Sequence, residues 1–105
     1  MKVVIEQNKV YLYPQGEITG EQFRIFEEEM LDFPGHSDIT VNMHDINYIN
    51  SESLSAFSRF FISMKSRGVR VSVCELNKNL RTIFNITCLD CIVKIENQNS
   101  EKLSE

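Results

Sequence analysis

DITVNMHDINYINSESLSAFSRFFISMKSRGVRVSV, residues 38–73, is the stretch on which the fold turns. Across Asp38–Met43, Ile39, Val41 and Met43 alternate with Thr40 and Asn42. Across Val69–Val73 the valines at 69, 71 and 73 alternate with Arg70 and Ser72. A period of two marks a strand with one covered face and one wetter face. Between these runs the period changes. Over Ser51–Arg67, Leu54, Phe57, Phe60, Phe61 and Met64 fall on one stripe at helical spacing, which reads as core. Gly68 follows as a C′ residue that ends the helix. Strand, helix and strand in this order predict a β-α-β unit with a right-handed crossover.

Working outward, Lys2–Glu6 and Lys9–Tyr13 are β-rich runs separated by Gln7–Asn8, and they predict a hairpin whose turn lacks the favoured glycine. Gly16 breaks the pattern, and Thr19 is a candidate N-cap for a helix over Glu21–Asp32. Phe23, Phe26, Met30 and Leu31 form its apolar side, with Glu27, Glu28, Glu29 and Asp32 mostly outside, and Pro34–Gly35 is its stop. Downstream, Asn79–Ile86 reads as a third helix and Cys91–Ile95 as a last strand. The order β-β-α-β-α-β-α-β predicts an α/β fold: a single mixed β-sheet of about five strands with helices mainly on one face. Residues 1–95 make one domain, and 96–105 a polar C-terminal tail with frayed ends. There is no internal repeat and no interdomain linker.

The 105 residues are 42% hydrophobic and 25% charged, ordinary for a globular domain. The net charge of −4 argues against nucleic acid as a partner, because a nucleic-acid binder carries a basic stripe. The charge is unevenly spread: net −6 over residues 1–50, +4 over 51–85 and −2 over 86–105. Oppositely charged regions suit steering of a protein partner, and equally suit plain solvated faces. Glu6 follows Met1–Ile5 too soon for a signal peptide, and no apolar run approaches the roughly 20 residues of a membrane span. The expected location is cytoplasmic. Cys74, Cys88 and Cys91 are an odd number with no export signal, which argues against a disulfide framework.

The segment Asp45-Ile46-Asn47-Tyr48-Ile49-Asn50-Ser51-Glu52-Ser53-Leu54 joins the C-terminal end of a strand to the start of the central helix. Ligand and regulatory sites in α/β sheets collect at such junctions. A hydroxyl at Ser51 faces unpaired helix N–H groups and the positive end of the macrodipole. It reads either as an N-cap worth on the order of 1 kcal/mol, or as a phosphorylation site whose added charge of roughly −1.5 to −2 the helix terminus can stabilise.

The segment resembles the signature of the STAS domain, in the bacterial anti-sigma-factor antagonist family, where Asp-x-Ser-x-x-Asp-Ser-Ser/Thr-Gly-Leu opens the central helix. Gly16-Glu17-Ile18-Thr19, Arg67-Gly68-Val69-Arg70-Val71-Ser72-Val73 and Ile86-Thr87-Cys88-Leu89-Asp90 resemble further elements of that family, in order, so that the resemblance spans about residues 3–95. It implies that Ser51 is the serine phosphorylated by a partner anti-sigma-factor kinase. It further implies that the unphosphorylated domain captures the anti-sigma factor and the phosphorylated one lets go. Three positions depart from the signature: Asn50 replaces Asp and carries no charge, Glu52 adds a carboxylate beside the serine, and Ser53 replaces Gly. These departures keep open an alternative, a STAS adaptor that only binds, in a signalling or transporter-associated complex.

Ser55, Arg59 and Ile62 follow Ser51 at i+4, i+8 and i+11, on a stripe opposite the phenylalanines. The expected partner-binding residues are therefore Asn50, Ser51, Glu52, Ser53, Ser55, Arg59 and Ile62, and the expected partner is an anti-sigma factor or serine-kinase-type regulator. No catalytic residue, cofactor or metal is expected. Cys88-Leu89-Asp90-Cys91 is a C-x-x-C that leads into a strand, where a redox version would open a helix. His36 and His44 have no nearby Cys or His partner for a metal, and no Gly-rich phosphate loop or nucleophile elbow is present.

Overall fold

The apolar alternation read from the sequence closes into a five-stranded sheet in a computed structural model that describes residues 1–16, 18–30 (Met30 by its backbone) and 38–96. The strands are β1 (Lys2–Glu6), β2 (Lys9–Tyr13), β3 (Asp38–Asn42), β4 (Arg70–Cys74) and β5 (Lys94–Ile95). The helices are α1 (Gly20–Met30), α2 (Ser51–Ser66) and α3 (Lys78–Ile86), with a 3-10 turn at Leu89–Cys91. The spatial order is β1-β2-β3-β4-β5. Only the β1–β2 pair is antiparallel; β2–β3, β3–β4 and β4–β5 are parallel. The sheet is therefore mixed, as expected. Each parallel step is bridged by one helix, and successive crossovers of one hand stack the helices on one face.

Burial follows that geometry. Val10, Leu12, Ile39, Val41, Val71 and Val73 point under the helices and are buried, whereas Tyr11, Tyr13, Thr40, Asn42 and Ser72 on the opposite face are only half-buried. The helix layer brings an aromatic cluster onto them. Phe23 of α1 stacks on Phe60 of α2 at 4.5 Å and meets Phe57 edge-on at 5.1 Å, and Phe61 contacts Phe84 of α3 at 6.2 Å. Such pairs add to the area they bury. Phe57, Phe60, Phe61 and Met64 are buried as the period predicts. Leu54 is only partly buried, and Ala56 and Ser53 complete the buried side of α2 in its place.

Helix ends follow local chemistry. The Thr19 N–H donates to Gln22 Oε1 at 3.0 Å, the return half of a capping box, so α1 starts one residue before the sequence-based start. Gly68, at φ +76, ends α2 with the left-handed residue expected there. Asn77 caps α3, its Oδ1 accepting the Leu80 N–H at 2.8 Å. The last strand is a correction: it is not Cys91–Ile95 but Lys94–Ile95. Cys88 adopts φ +60 and Leu89–Cys91 turn as a 3-10 segment, which buries Leu89 and Val93. That turn uses the backbone bonds that an earlier strand start would need. The expected helix end at Leu31–Asp32, the Pro34–Gly35 stop, His36, Glu17 of the expected turn and the tail beyond Glu96 lie outside the described residues.

Candidate functional site

Three loops meet at the C-terminal edge of the parallel strands: β2 to α1, β3 to α2 and β4 to α3. The middle one carries the signature segment. Its apolar residues Met43, Ile46 and Ile49 are buried, while His44, Asp45, Asn47 and Tyr48 are exposed. The buried residues anchor the loop and the polar ones face water.

Both neighbouring loops hold it. Gln15 Nε2, before α1, donates to Asp45 Oδ2 at 3.3 Å, and His44 Nδ1 lies 3.2 Å from Asp45 Oδ1. The Gln15 bond first, and then His44, keep the Asp45 carboxyl below its ordinary pKa. On the other side, Asn77 Nδ2 donates to the Asn47 carbonyl at 3.3 Å and reaches the Ile46 carbonyl at 3.5 Å. Asn77 thus fixes α3 and the signature loop together. An Asn before a helical run is a cap signal, whereas its second role and that of Gln15 depend on neighbours some thirty residues away in sequence and leave no local trace.

The start of α2 corrects one expectation. Ser51 is not the N-cap. Asn50 holds that position in extended backbone, φ −89 and ψ 179, and its Oδ1 accepts the Ser53 N–H at 2.8 Å. Asn and Ser are about equally good caps, and the Asn side chain one residue earlier takes the role. The Ser51 hydroxyl is therefore not used for capping, and Ser51 and Glu52 are exposed in the first turn. Their backbone N–H groups have no acceptor within the helix. A second correction concerns Ser53, which is 4% exposed. Its hydroxyl donates to the Ile18 carbonyl at 2.9 Å, so it faces inward and takes no part in an exposed surface.

Ser51, Glu52, Ser55, Arg59 and Ile62 are all exposed, Ile62 by 55%, and Asn50 is half-buried. Ser51, Ser55, Arg59 and Ile62 lie on the side of α2 opposite its buried stripe, as the spacing predicts. Arg59 also borders the groove between α1 and α2, near Glu27 and Glu28. There Glu27 ties the helices, accepting from Ser63 Oγ at 2.9 Å and lying 3.3 Å from Arg67. Tyr48, 73% exposed just before the helix, is a residue that the sequence reading did not single out.

Among the described residues, no group of His, Cys, Asp and Glu converges as metal ligands, and no described helix is long and apolar enough to cross a membrane. Burial pushes the Cys74 thiol up to about 11, and the neighbouring Asp90 carboxylate raises Cys91. Both move away from the stabilised thiolate that redox chemistry needs.

Comparison with known proteins adds a family. The STAS domain profile matches residues 1–101. A Thermotoga neapolitana protein with the name "Putative anti-sigma factor antagonist TM1081 homolog" is 30% identical over 104 residues, covering 96% of this chain and 92% of the relative. The crystal structure of a Thermotoga maritima "putative anti-sigma factor antagonist" superposes with a TM-score of 0.74 at 27% identity, over 95% of this chain and 88% of the other. The Bacillus anti-sigma factor antagonist SpoIIAA, in its unphosphorylated form, shares the fold with a TM-score of 0.69 at 12% identity, over 95% and 90% of the two chains.

Proposed function

The chain belongs to the STAS domain family, and from that premise we propose that it is an anti-sigma-factor antagonist, a regulatory module that binds an anti-sigma factor or serine-kinase-type regulator through the exposed side of α2. It acts by binding rather than by catalysis. The surface consists of Ser51, Glu52, Ser55, Arg59 and Ile62, with Asn50 shaping its start and Ser53 only supporting it from beneath.

The observation that carries this reading is the separation of two jobs at the helix start. Because Asn50 caps α2, the Ser51 hydroxyl is exposed and can be modified without loss of the cap. A phosphate there would gain from the first-turn N–H groups and the macrodipole, and would place roughly −1.5 to −2 charges at one end of the contact surface. Release of the partner follows from that charge, with Ile62 supplying apolar contact about three turns away.

The test is phosphorylation by the cognate anti-sigma kinase with ATP, read by intact mass and fragment mass spectrometry. The proposal expects one phosphate on Ser51 and none on Ser51→Ala. Binding to the same kinase with no phosphate on either protein would favour the second reading, an adaptor that only binds. One observation favours that reading: the exposed Glu52 carboxylate sits beside Ser51 and would repel a phosphate.

A further inference from the structure

Among the described residues β1 is an edge of the sheet, and its outer side is complementary to itself. The register pairs Glu6 with Lys9 across the two-residue turn. A turn of that length closes on a hydrogen-bonded pair, so Glu6, Val4 and Lys2 direct their backbone groups toward β2. Val3 and Ile5 therefore direct theirs outward. Their side chains share a face with Leu12 and Val10, which are 0% and 1% exposed, yet Val3 and Ile5 are 37% and 44% exposed. The apolar layer under the helices thus continues to the edge of the sheet and stops there uncovered.

The opposite face tells the same story in charge. The register aligns Glu6, Lys9, Asp38 and Arg70 in one row across four strands. Signs alternate along the row, and Arg70 meets Asp38 at 2.9 Å. The row ends at the sheet edge on the negative Glu6. At the other end of β1, Lys2 lies over the Tyr13 ring at 5.6 Å, on the same open face.

We propose that β1 pairs with β1 of a second copy of this chain, antiparallel about a two-fold axis through Val4. In that register Lys2 stands opposite Glu6 of the second copy, and the alternating row gains its next positive charge. Val3 stands opposite Ile5 of the second copy, and their outward N–H and C=O groups close the ladder. A shift by one residue would turn the valine and isoleucine to the polar face. A parallel pairing would set lysine on lysine and glutamate on glutamate. Edge strands ordinarily carry charge to block association; here the charges oppose the in-register parallel pairing, and of the antiparallel registers the one about Val4 sets both Lys2 and Glu6 opposite their complement. The pairing leaves the exposed side of α2 free and does not rest on the function proposed above.

The experiment is sedimentation of the full chain over a concentration series, with thermal melts to confirm that each variant folds. Wild type should move from its monomer mass of 12.2 kDa toward twice that value as concentration rises. Lys2→Glu alone and Glu6→Lys alone should each weaken the dimer at least about tenfold, because each sets like charges opposite one another. An equimolar mixture of the two variants should dimerise, since each now complements the other. Ile5→Pro removes an outward N–H that β2 does not use and should also leave a monomer. A wild type that stays monomeric at millimolar concentration overturns the proposal. So does a dimer that both charge variants and Ile5→Pro leave intact, or a mixture that fails to regain it.

Discussion

The Ser53 hydroxyl, buried in the first turn of α2, donates to the Ile18 carbonyl at 2.9 Å across 35 residues of sequence. It ties the start of the central helix to the segment that leads into α1. Ser53→Ala leaves that carbonyl buried without its partner, and unfolding in urea should show a loss of about 1–3 kcal/mol. Partner affinity of the folded variant should stay near wild type, because Ser53 lies beneath the surface.

Asn50 supplies the second bond at this helix start. Asn50→Ala should cost about 1 kcal/mol in the same measurement, and Asn50→Asp should cost little, since Asp is an equally good cap and its charge suits the helix N-terminus. A destabilised Asn50→Asp would mean that the cap depends on the neutral amide.

Phe57→Ala or Phe61→Ala should each lose about 3–5 kcal/mol through lost burial and the cavity left behind. Both rings are buried within the aromatic cluster. Against a total of about 5–15 kcal/mol that is enough to unfold much of the population, visible in circular dichroism at ambient temperature.

The cysteines should divide by reactivity. With a thiol reagent near pH 8, exposed Cys88 and Cys91 should react in the folded protein, and Cys74 only on unfolding. Cys74, at about 11 in the fold against 9.0 unperturbed, favours its protonated form when folded. Its contribution to stability is therefore full below pH 9 and declines as pH rises from 9 to 11. Cys74→Ser should flatten that part of a stability-against-pH curve.

Much of this arrangement is legible in residues 38–73. Period-two alternation located β3 and β4, the phenylalanine spacing located the inner side of α2, and Gly68 marked its end, because each is a local pattern with one geometric solution. What was not legible is non-local. Nothing near Ser53 announces Ile18 as its acceptor, and nothing near Asn77 announces the Asn47 carbonyl. The choice between Asn50 and Ser51 as cap is a one-residue shift between two nearly equal cap formers. In the fold, Ile49 and Ser53 on either side are buried and Asn50 takes the cap. The short β5 escaped for a similar reason: Cys88 in left-handed backbone is a tertiary choice that buries Leu89.

On the function proposed above, Ser51 and Ile62 belong to one partner-binding surface on α2. Isothermal titration of wild type, Ser51→Asp and Ile62→Asp against the cognate anti-sigma factor tests it most directly, with thermal melts of all three chains alongside. Each Asp variant should weaken binding at least about tenfold, roughly 1.4 kcal/mol, with melting close to wild type. Unchanged affinity in both variants, with the fold intact, would contradict the account.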